Sequence, residues 1–456
     1  MNYCKFNWAA GSESSPFGEY NTGTSTECCG DDPGEYYAEL CPGVSNVARK
    51  CCNSPTDKID PNGNCVQSCP GQPTRQTTPL RTTPISQPTK VSPGITSCEK
   101  GESFYADYPI NKYFVFYYNG NDIVYKMSED GLSWSDEKVA LSRYEIKRNP
   151  YYDVYYNNNY VYIVYQNTGS KITFKSGQIN EGEITWGSSF VVDRSENGFG
   201  MSVVADTNDN PWIVSASWSE SNKKFKQNLY YGSNLDGSGQ WKKWVLNEGQ
   251  NAVPLITPLD DGKVYVVYFA GYKSKLMGAE YNKYGRVSEY KSDILGGDTV
   301  KDYFGLNPSI SIDSDKDQNI VYLSWLNNKN QVKFSEKTDR WSEPIVLSMS
   351  EKSTSYPVVN SIKNNNDVFV FWFNRGSKIV MKSRIDNEWS DLSYPFGLSF
   401  RSPKAQSLRT FSTDNGEIIG LWCEQIGLSK TAIYKFSNNE YLVFDKIQVM
   451  DYFELV

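Results

Sequence analysis

The chain has 456 residues, with 46 Lys and Arg against 53 Asp and Glu, a formal net charge of −7 and no histidine. The lack of histidine excludes Ser-His-Asp and Cys-His nucleophile systems, His-ligated zinc and haem attachment. Acidic and basic residues are interspersed, so no basic stripe follows a phosphate backbone and no nucleic-acid partner is expected; no apolar run approaches the ~18 residues that a membrane span needs.

Cysteines mark the first element. Cys4, Cys28, Cys29, Cys41, Cys51, Cys52, Cys65 and Cys69 fall within residues 1–69, and Cys98 and Cys423 are the remaining two. A head this short buries little apolar core, so covalent staples are expected there, in a pairing that spacing does not reveal. Metal binding is the rival reading. It lacks the usual paired C-x-x-C spacing and any histidine. Met1 is followed directly by polar sequence and Cys4, so no signal peptide is expected in this stretch. The run Cys28-Cys-Gly-Asp-Asp-Pro-Gly-Glu-Tyr-Tyr37, with Cys51-Cys52 and Asn62-Gly-Asn-Cys65, resembles small cysteine-rich modules of archaeal-type surface proteins. No activity follows from that resemblance.

Residues 70–97 are dominated by Pro and Thr and carry almost nothing apolar. Such a segment reads as an extended spacer that can bear O-glycans, at about 3 Å per residue. Paired half-cystines and a Pro/Thr stalk point to an oxidising setting, so the expected location is extracellular or on a cell or virion surface.

From residue 98 to residue 456 one pattern recurs seven times. Its most regular part reads Phe114–Tyr118 (FVFYY), Val161–Tyr165 (VYIVY), Trp212–Trp218 (WIVSASW), Val264–Tyr268 (VYVVY), Val321–Trp325 (VYLSW), Val368–Trp372 (VFVFW) and Ile418–Trp422 (IIGLW), at steps of about 50 residues. Turns rich in Asp, Asn and Gly separate four short β-branched and aromatic runs in each repeat. Such a period signals a solenoid, propeller or array, and the period-2 alternation excludes a helical solenoid. The expected fold class is all-β, a seven-bladed β-propeller of four-stranded antiparallel blades with a small disulfide-rich N-terminal domain. Cys98 precedes the first repeat and Cys423 lies in the seventh, so a disulfide between them would lock a closed ring at its seam. The run from Tyr441 to Val456 is expected to add a strand across the same seam.

The hairpin Ser128-Glu-Asp130-Gly131-Leu-Ser133-Trp134 resembles the Asp box of sialidase-type (BNR) propellers, Ser-x-Asp-Gly-x-Thr-Trp. Degenerate relatives occur at Asn234–Trp241, Thr338–Trp341 and Ile385–Trp389. The Asp and Ser are expected to satisfy the N–H groups of a tight turn and the Trp to pin that turn against the blade. In the family these boxes lie on the face opposite the active site, so they imply a fold and not an activity.

Sialidase-like hydrolysis is the sharpest enzyme reading, because that chemistry uses a Tyr with a carboxylate, an Asp acid/base and three arginines. The family's Phe/Tyr-Arg-Ile-Pro motif is absent, since Ser103-Phe-Tyr-Ala-Asp-Tyr-Pro109 lacks the arginine. Arg143, Arg148, Arg194, Arg375 and Arg401 are expected on the loop face, near Tyr151, Asp302, Tyr303 and Tyr356, with Glu145 and Asp193 as further acids. Of these, Arg148, Tyr151, Arg194, Asp302, Tyr303, Tyr356, Arg375 and Arg401 are the candidate ligand-binding set. No catalytic residue is assigned. Asp313-x-Asp315-x-Asp317 and Asp206-x-Asn208-x-Asn210 resemble half of a calcium loop but lack its twelfth-position Glu, so a hairpin turn is the favoured reading and no cofactor is expected. The resulting expectation is a surface recognition, adhesion or assembly protein that binds a glycan or a partner protein, and self-assembly is among its roles. The alternatives are a sialidase-like hydrolase and a purely structural part of a filament, sheath or virion.

Overall fold

The structure is a computed structural model. It describes residues 112–348 and 357–393, interrupted at 130–133, 149, 181, 220, 222, 249–253, 271–274, 291–293, 302–308 and, in the second range, 363–365 and 375–378; outside these ranges it describes the backbone of short strands. The chain forms two compact units, Met1–Thr83 and Pro84–Val456, so the boundary falls inside the Pro/Thr-rich spacer. In the first unit Tyr36–Tyr37 pairs with Cys51–Cys52, and Lys58–Ile59 pairs with Glu39–Leu40 and Cys65–Val66. Cysteine side chains, and with them every proposed disulfide including Cys98–Cys423, lie outside the described residues.

The second unit is all-β among the described residues, and strands follow one another in sequence order within each sheet. The first repeat is a four-stranded sheet of Tyr105–Asp107, Tyr113–Tyr118, Ile123–Ser128 and Lys138–Leu141. The second and third repeats are one seven-stranded sheet, because the 23-residue strand Glu183–Ala205 ends one repeat and begins the next without breaking. Register shifts at Lys171/Ile172 and at Gly198/Gly200 mark the handover. The fourth, fifth and sixth repeats are separate four-stranded sheets, and the seventh shows three strands, Arg409–Ser412, Ile418–Gln425 and Thr431–Ser437. Near the C-terminus, Gln448–Val449 pairs in parallel with Lys90–Val91, upstream of the first repeat.

In the second to fifth repeats the second strand is apolar on both faces because each face meets a different neighbour. Val161, Ile163 and Tyr165 pack toward Phe114, Phe116 and Tyr118 of the first repeat. From the same strand, Tyr162 and Val164 pack toward Ile213 and Tyr230 of the third. The rule repeats down the chain: Val264, Val266 and Tyr268 meet Trp212 and Val214, whereas Tyr265, Val267 and Phe269 meet Val321, Leu323 and Trp325. Val368, Val370 and Trp372 then meet Tyr322. A strand buried on both sides reads as a continuous apolar run, and burying each large side chain contributes roughly 1.5–3 kcal/mol.

Four hairpin tryptophans reach the sheet before their own, and two of them, Trp186 and Trp241, also lie over Gly177 and Gly232 of their own sheets. Trp186 makes edge contacts with Phe116 and Tyr125 at 6.4 and 6.2 Å, Trp241 with Phe174 at 5.4 Å, Trp341 with Tyr265 at 5.9 Å and Trp389 with Phe334 at 5.0 Å. The turn chemistry itself follows expectation at Asp236, whose Oδ1 accepts the Ser238 N–H at 2.9 Å and its hydroxyl at 2.6 Å. Gly237 has φ +77°, and a Cβ there would collide with the Phe174 ring, so the turn requires glycine. The Ser128–Trp134 hairpin falls on residues 130–133, outside the described residues.

Candidate functional site

Strand order places the loops 119–122, 142–151 and 167–170, together with the bulged stretch 193–199 inside the strand Glu183–Ala205, at one end of the first three repeats. Direct contacts hold them together there. The Arg143 N–H donates to Asp122 Oδ1 at 2.6 Å, the Lys147 N–H to the Gln166 carbonyl at 3.0 Å, Ile146 bridges Asn167, and Lys171 Nζ reaches Asn197 Oδ1 at 2.9 Å.

The segment after Leu141 is a capped turn. Glu145 Oε2 accepts the Ser142 N–H at 3.0 Å and its hydroxyl at 3.2 Å, and the Glu145 N–H returns to the Ser142 carbonyl at 2.9 Å. This rigid turn holds up Arg143 and Tyr144. The guanidinium lies 4.9 Å from the Tyr144 ring centroid and donates to its hydroxyl at 2.8 Å, with Tyr144 75% exposed. Lys147, Arg148 and Arg194 are exposed along the same end, and Tyr151 is 36% exposed.

Glu145, Asp193 and Glu196 at this end are turned inward onto lysines. Lys175 Nζ lies 3.3 Å from Glu145 Oε1. Lys243 Nζ bridges Asp193 Oδ2 at 2.7 Å and Glu196 Oε1 at 2.8 Å, and Lys226 adds a 3.3 Å contact to Glu196. Ser217 and Asn228 donate to the other Glu196 oxygen, and Ser195 caps Asp193. Burial pushes both carboxyls upward, but the Lys243 and serine hydrogen bonds outweigh it and hold both below the ordinary carboxylate range. The result is a basic aromatic rim above neutralised acids, on a chain whose overall charge is −7. Asp193 was legible as a loop acid. Glu196 was not singled out, because only the fold brings it onto lysines 30 and 47 positions away.

A Tyr–carboxylate pair is present beneath this rim, but it is closed. The Tyr230 hydroxyl donates to Asp193 Oδ2 at 3.0 Å, with Tyr230 1% exposed. Burial, together with the charges of Asp193 and Glu196, raises its phenol well above the ordinary value, so the proton stays on and the oxygen is sealed from any substrate. Of the candidate set, Arg148, Tyr151 and Arg194 fall on the rim. Asp302, Tyr303, Tyr356, Arg375 and Arg401 lie outside the described residues.

The two calcium-like runs form turns. Asp315 Oδ1 accepts the N–H groups of Asp317 and Gln318 at 3.1 and 3.2 Å. Asp206 Oδ1 accepts those of Asn208 and Asn210 at 2.8 and 3.1 Å, and its Oδ2 takes the Trp212 indole at 3.0 Å. Asp313 instead reaches across to the sixth repeat, where the Ser361 N–H and hydroxyl donate to its Oδ2. Among the described residues no three carboxylates, cysteines or histidines converge as a metal site.

No protein-family model and no curated protein matches the chain. Solved structures do resemble it. A lectin from Burkholderia pseudomallei, BP39L, superposes with TM-score 0.53 at 9% identity, covering 76% of this chain and 98% of that one. A lectin from Aleuria aurantia, described as a six-bladed β-propeller with its own mode of fucose recognition, gives TM-score 0.37 at 11% identity over 63% of this chain and 91% of that one. The Hadza microbial sialidase Hz136 gives 0.42 at 10% identity over 60% and 63%. These likenesses bear on fold alone: this is an all-β chain of four-stranded antiparallel sheets with propeller lectins among its structural neighbours.

Proposed function

We propose that the second unit is a seven-bladed β-propeller that recognises an anionic glycan through the rim carrying Arg143, Tyr144, Arg148, Tyr151 and Arg194. The observation that carries this reading is the charge arrangement: the loop acids are compensated from below by Lys175, Lys226 and Lys243, which leaves the arginines and aromatic faces above them facing solvent. A planar guanidinium donates two parallel hydrogen bonds to a carboxylate or sulfate, and a tyrosine face covers sugar C–H groups. Seven blades are supported by the seven sequence repeats and by the neighbours of their first strands: successive ones lie side by side, and Arg409–Ser412 lies beside Tyr105–Asp107. A fold shared with a lectin fits the reading.

We place the protein outside the cell or on a virion surface, with the cysteine-rich head and spacer displaying the propeller; adhesion follows from that placement. Tyr230, bonded to Asp193, is buried with its phenol raised well above the ordinary value, which supports binding without turnover as the expected behaviour.

An array of neutral, carboxylated and sulfated glycans tests this. Binding is expected to favour the charged members, to weaken as salt rises, and to fall at least tenfold in Arg148→Ala/Arg194→Ala with the fold retained. Equal binding by the double variant, or preference for neutral glycans at the rim, would overturn the proposal. Release of sugar from a fluorogenic sialoside would favour the hydrolase instead.

A further inference from the structure

At the opposite end of the sheets the fourth and fifth repeats part to leave a cleft of about 410 Å³, within the roughly 300–1,000 Å³ range of small-molecule sites. Its walls are fixed by bonds of their own. Lys337 Nζ is held at 2.9 Å by Glu280 Oε1 and at 2.9 Å by the Thr338 carbonyl, and lies 5.3 Å over the Tyr265 ring. The Tyr265 hydroxyl takes the Trp341 indole N–H at 3.0 Å, and Gly278 makes room for it, since a Cβ there would collide with that oxygen. Walls set before a ligand arrives reduce the ordering cost of binding.

The groups left facing the cleft alternate between donor and acceptor. Asn319 uses its Oδ1 for the Asp260 N–H at 3.0 Å, and its amide NH2 has no hydrogen bond among the described residues. Glu280 holds Lys337 through one oxygen, and the other has no partner among the described residues. Among the described residues Lys263 pairs only with Asp261 at 3.6 Å, itself 83% exposed, and Asp339 also lines the cleft. Two ammonium groups against two carboxylates leave the lining neutral. Donors interleaved with acceptors, in a neutral rigid cleft, match a molecule whose every polar group does both: a hydroxyl.

The next seam supplies a control. Tyr322, Glu336 and Arg384 stand there as Tyr265, Glu280 and Lys337 do here, with Arg384 2.7 Å from Glu336 and its guanidinium 5.8 and 5.6 Å from the Tyr322 and Phe334 rings. Arg384 is 6% exposed and Lys337 8%, so both cations are buried against their seams, and the guanidinium is the bulkier of the two.

We infer that the cleft between the fourth and fifth repeats binds a neutral polyhydroxylated molecule of about monosaccharide size, independently of the arginine rim. Ligand-observed NMR on the whole chain, with methyl glycosides of neutral hexoses and with glucuronate as charged control, tests this. At least one neutral glycoside is expected to receive saturation transfer. Lys337→Arg, which copies the neighbouring seam, and Asn319→Ala are each expected to weaken it at least tenfold. Arg148→Ala/Arg194→Ala is expected to leave it unchanged. No signal from any neutral glycoside, response to glucuronate alone, or a signal that survives both Lys337→Arg and Asn319→Ala would overturn the inference. Should Lys337→Arg fail to fold by near-ultraviolet circular dichroism, the exposed Asn319→Ala carries the test. Loss of rim binding with cleft binding intact would overturn only the rim proposal.

Discussion

Asp153 and Asp313 sit on the first strands of the second and fifth repeats and do the same work. Asp153 Oδ2 accepts the Val203 N–H and the Ser202 hydroxyl, both at 2.7 Å. Asp313 Oδ2 accepts the Ser361 N–H at 2.7 Å and its hydroxyl at 2.9 Å. Each fastens one first strand to the next. At Asp313 burial is the largest influence and outweighs the serine hydrogen bonds, pushing the carboxyl up to about 6 with help from the nearby charge of Asp315. The unfolded value is about 3.9, so between pH 4 and 6 the native state keeps a proton that the unfolded chain has released. Stability from this group therefore falls as pH rises through that window. Asp313→Asn keeps an acceptor for Ser361 and removes the titration. Urea midpoints at pH 4.5 and pH 7 are expected to show the variant gaining on the native protein at the higher pH, and a pH-independent difference would count against this assignment. Asp193 and Glu196 act in the opposite sense: their depressed values give stability that is present above about pH 4 and lost in acid.

At the scale of elements, the hairpin carrying a tryptophan is the part that joins sheets. The motif spacing told us that the turn would need Asp, Gly and Trp, and Asp236, Gly237 and Trp241 behave so. It did not tell us that the indole reaches the preceding sheet, because a hairpin motif is local and the seam is not. Trp341 is the best case for a test, at 7% exposed with its N–H on Tyr265. Trp341→Ala is expected to cost about 3–5 kcal/mol. Trp341→Phe, which keeps the ring contact and loses one hydrogen bond, is expected to cost only about 1 kcal/mol. Equal losses in urea unfolding would show that the hydrogen bond dominates, against the packing argument. The joined second and third repeats carry the same lesson: a turn was expected after each fourth strand, and Glu183–Ala205 instead runs straight through with bulges.

Across the whole molecule, the buried residues of each described apolar cluster of the second unit come from two consecutive repeats. A chain beginning at Pro84, where the second compact unit starts, is expected to fold with an unchanged near-ultraviolet spectrum and a melting temperature within a few degrees of the full chain. Calorimetry checks this, and a broad or much lower transition would mean that the head contributes to the second unit's stability.

Composition and periodicity alone determined the class of structure. Alternating Val, Ile, Tyr and Trp between Asn-, Asp- and Gly-rich turns can only be short strands, and the absence of histidine needs no coordinates to be read. Counting strands led to the expectation of Arg148, Tyr151 and Arg194 in loops; Arg194 instead lies within the strand Glu183–Ala205. Tertiary structure decided what each side chain meets. That Lys243 holds Asp193 and Glu196, that Tyr230 is sealed, and that Lys337 pairs with Glu280 as Arg384 does with Glu336, all depend on residues from neighbouring repeats, commonly about 50 positions apart, arriving at one seam. Strand period is a property of adjacent residues, and spacing carries it; the partner across a seam is a property of two sheets packed together, and spacing does not.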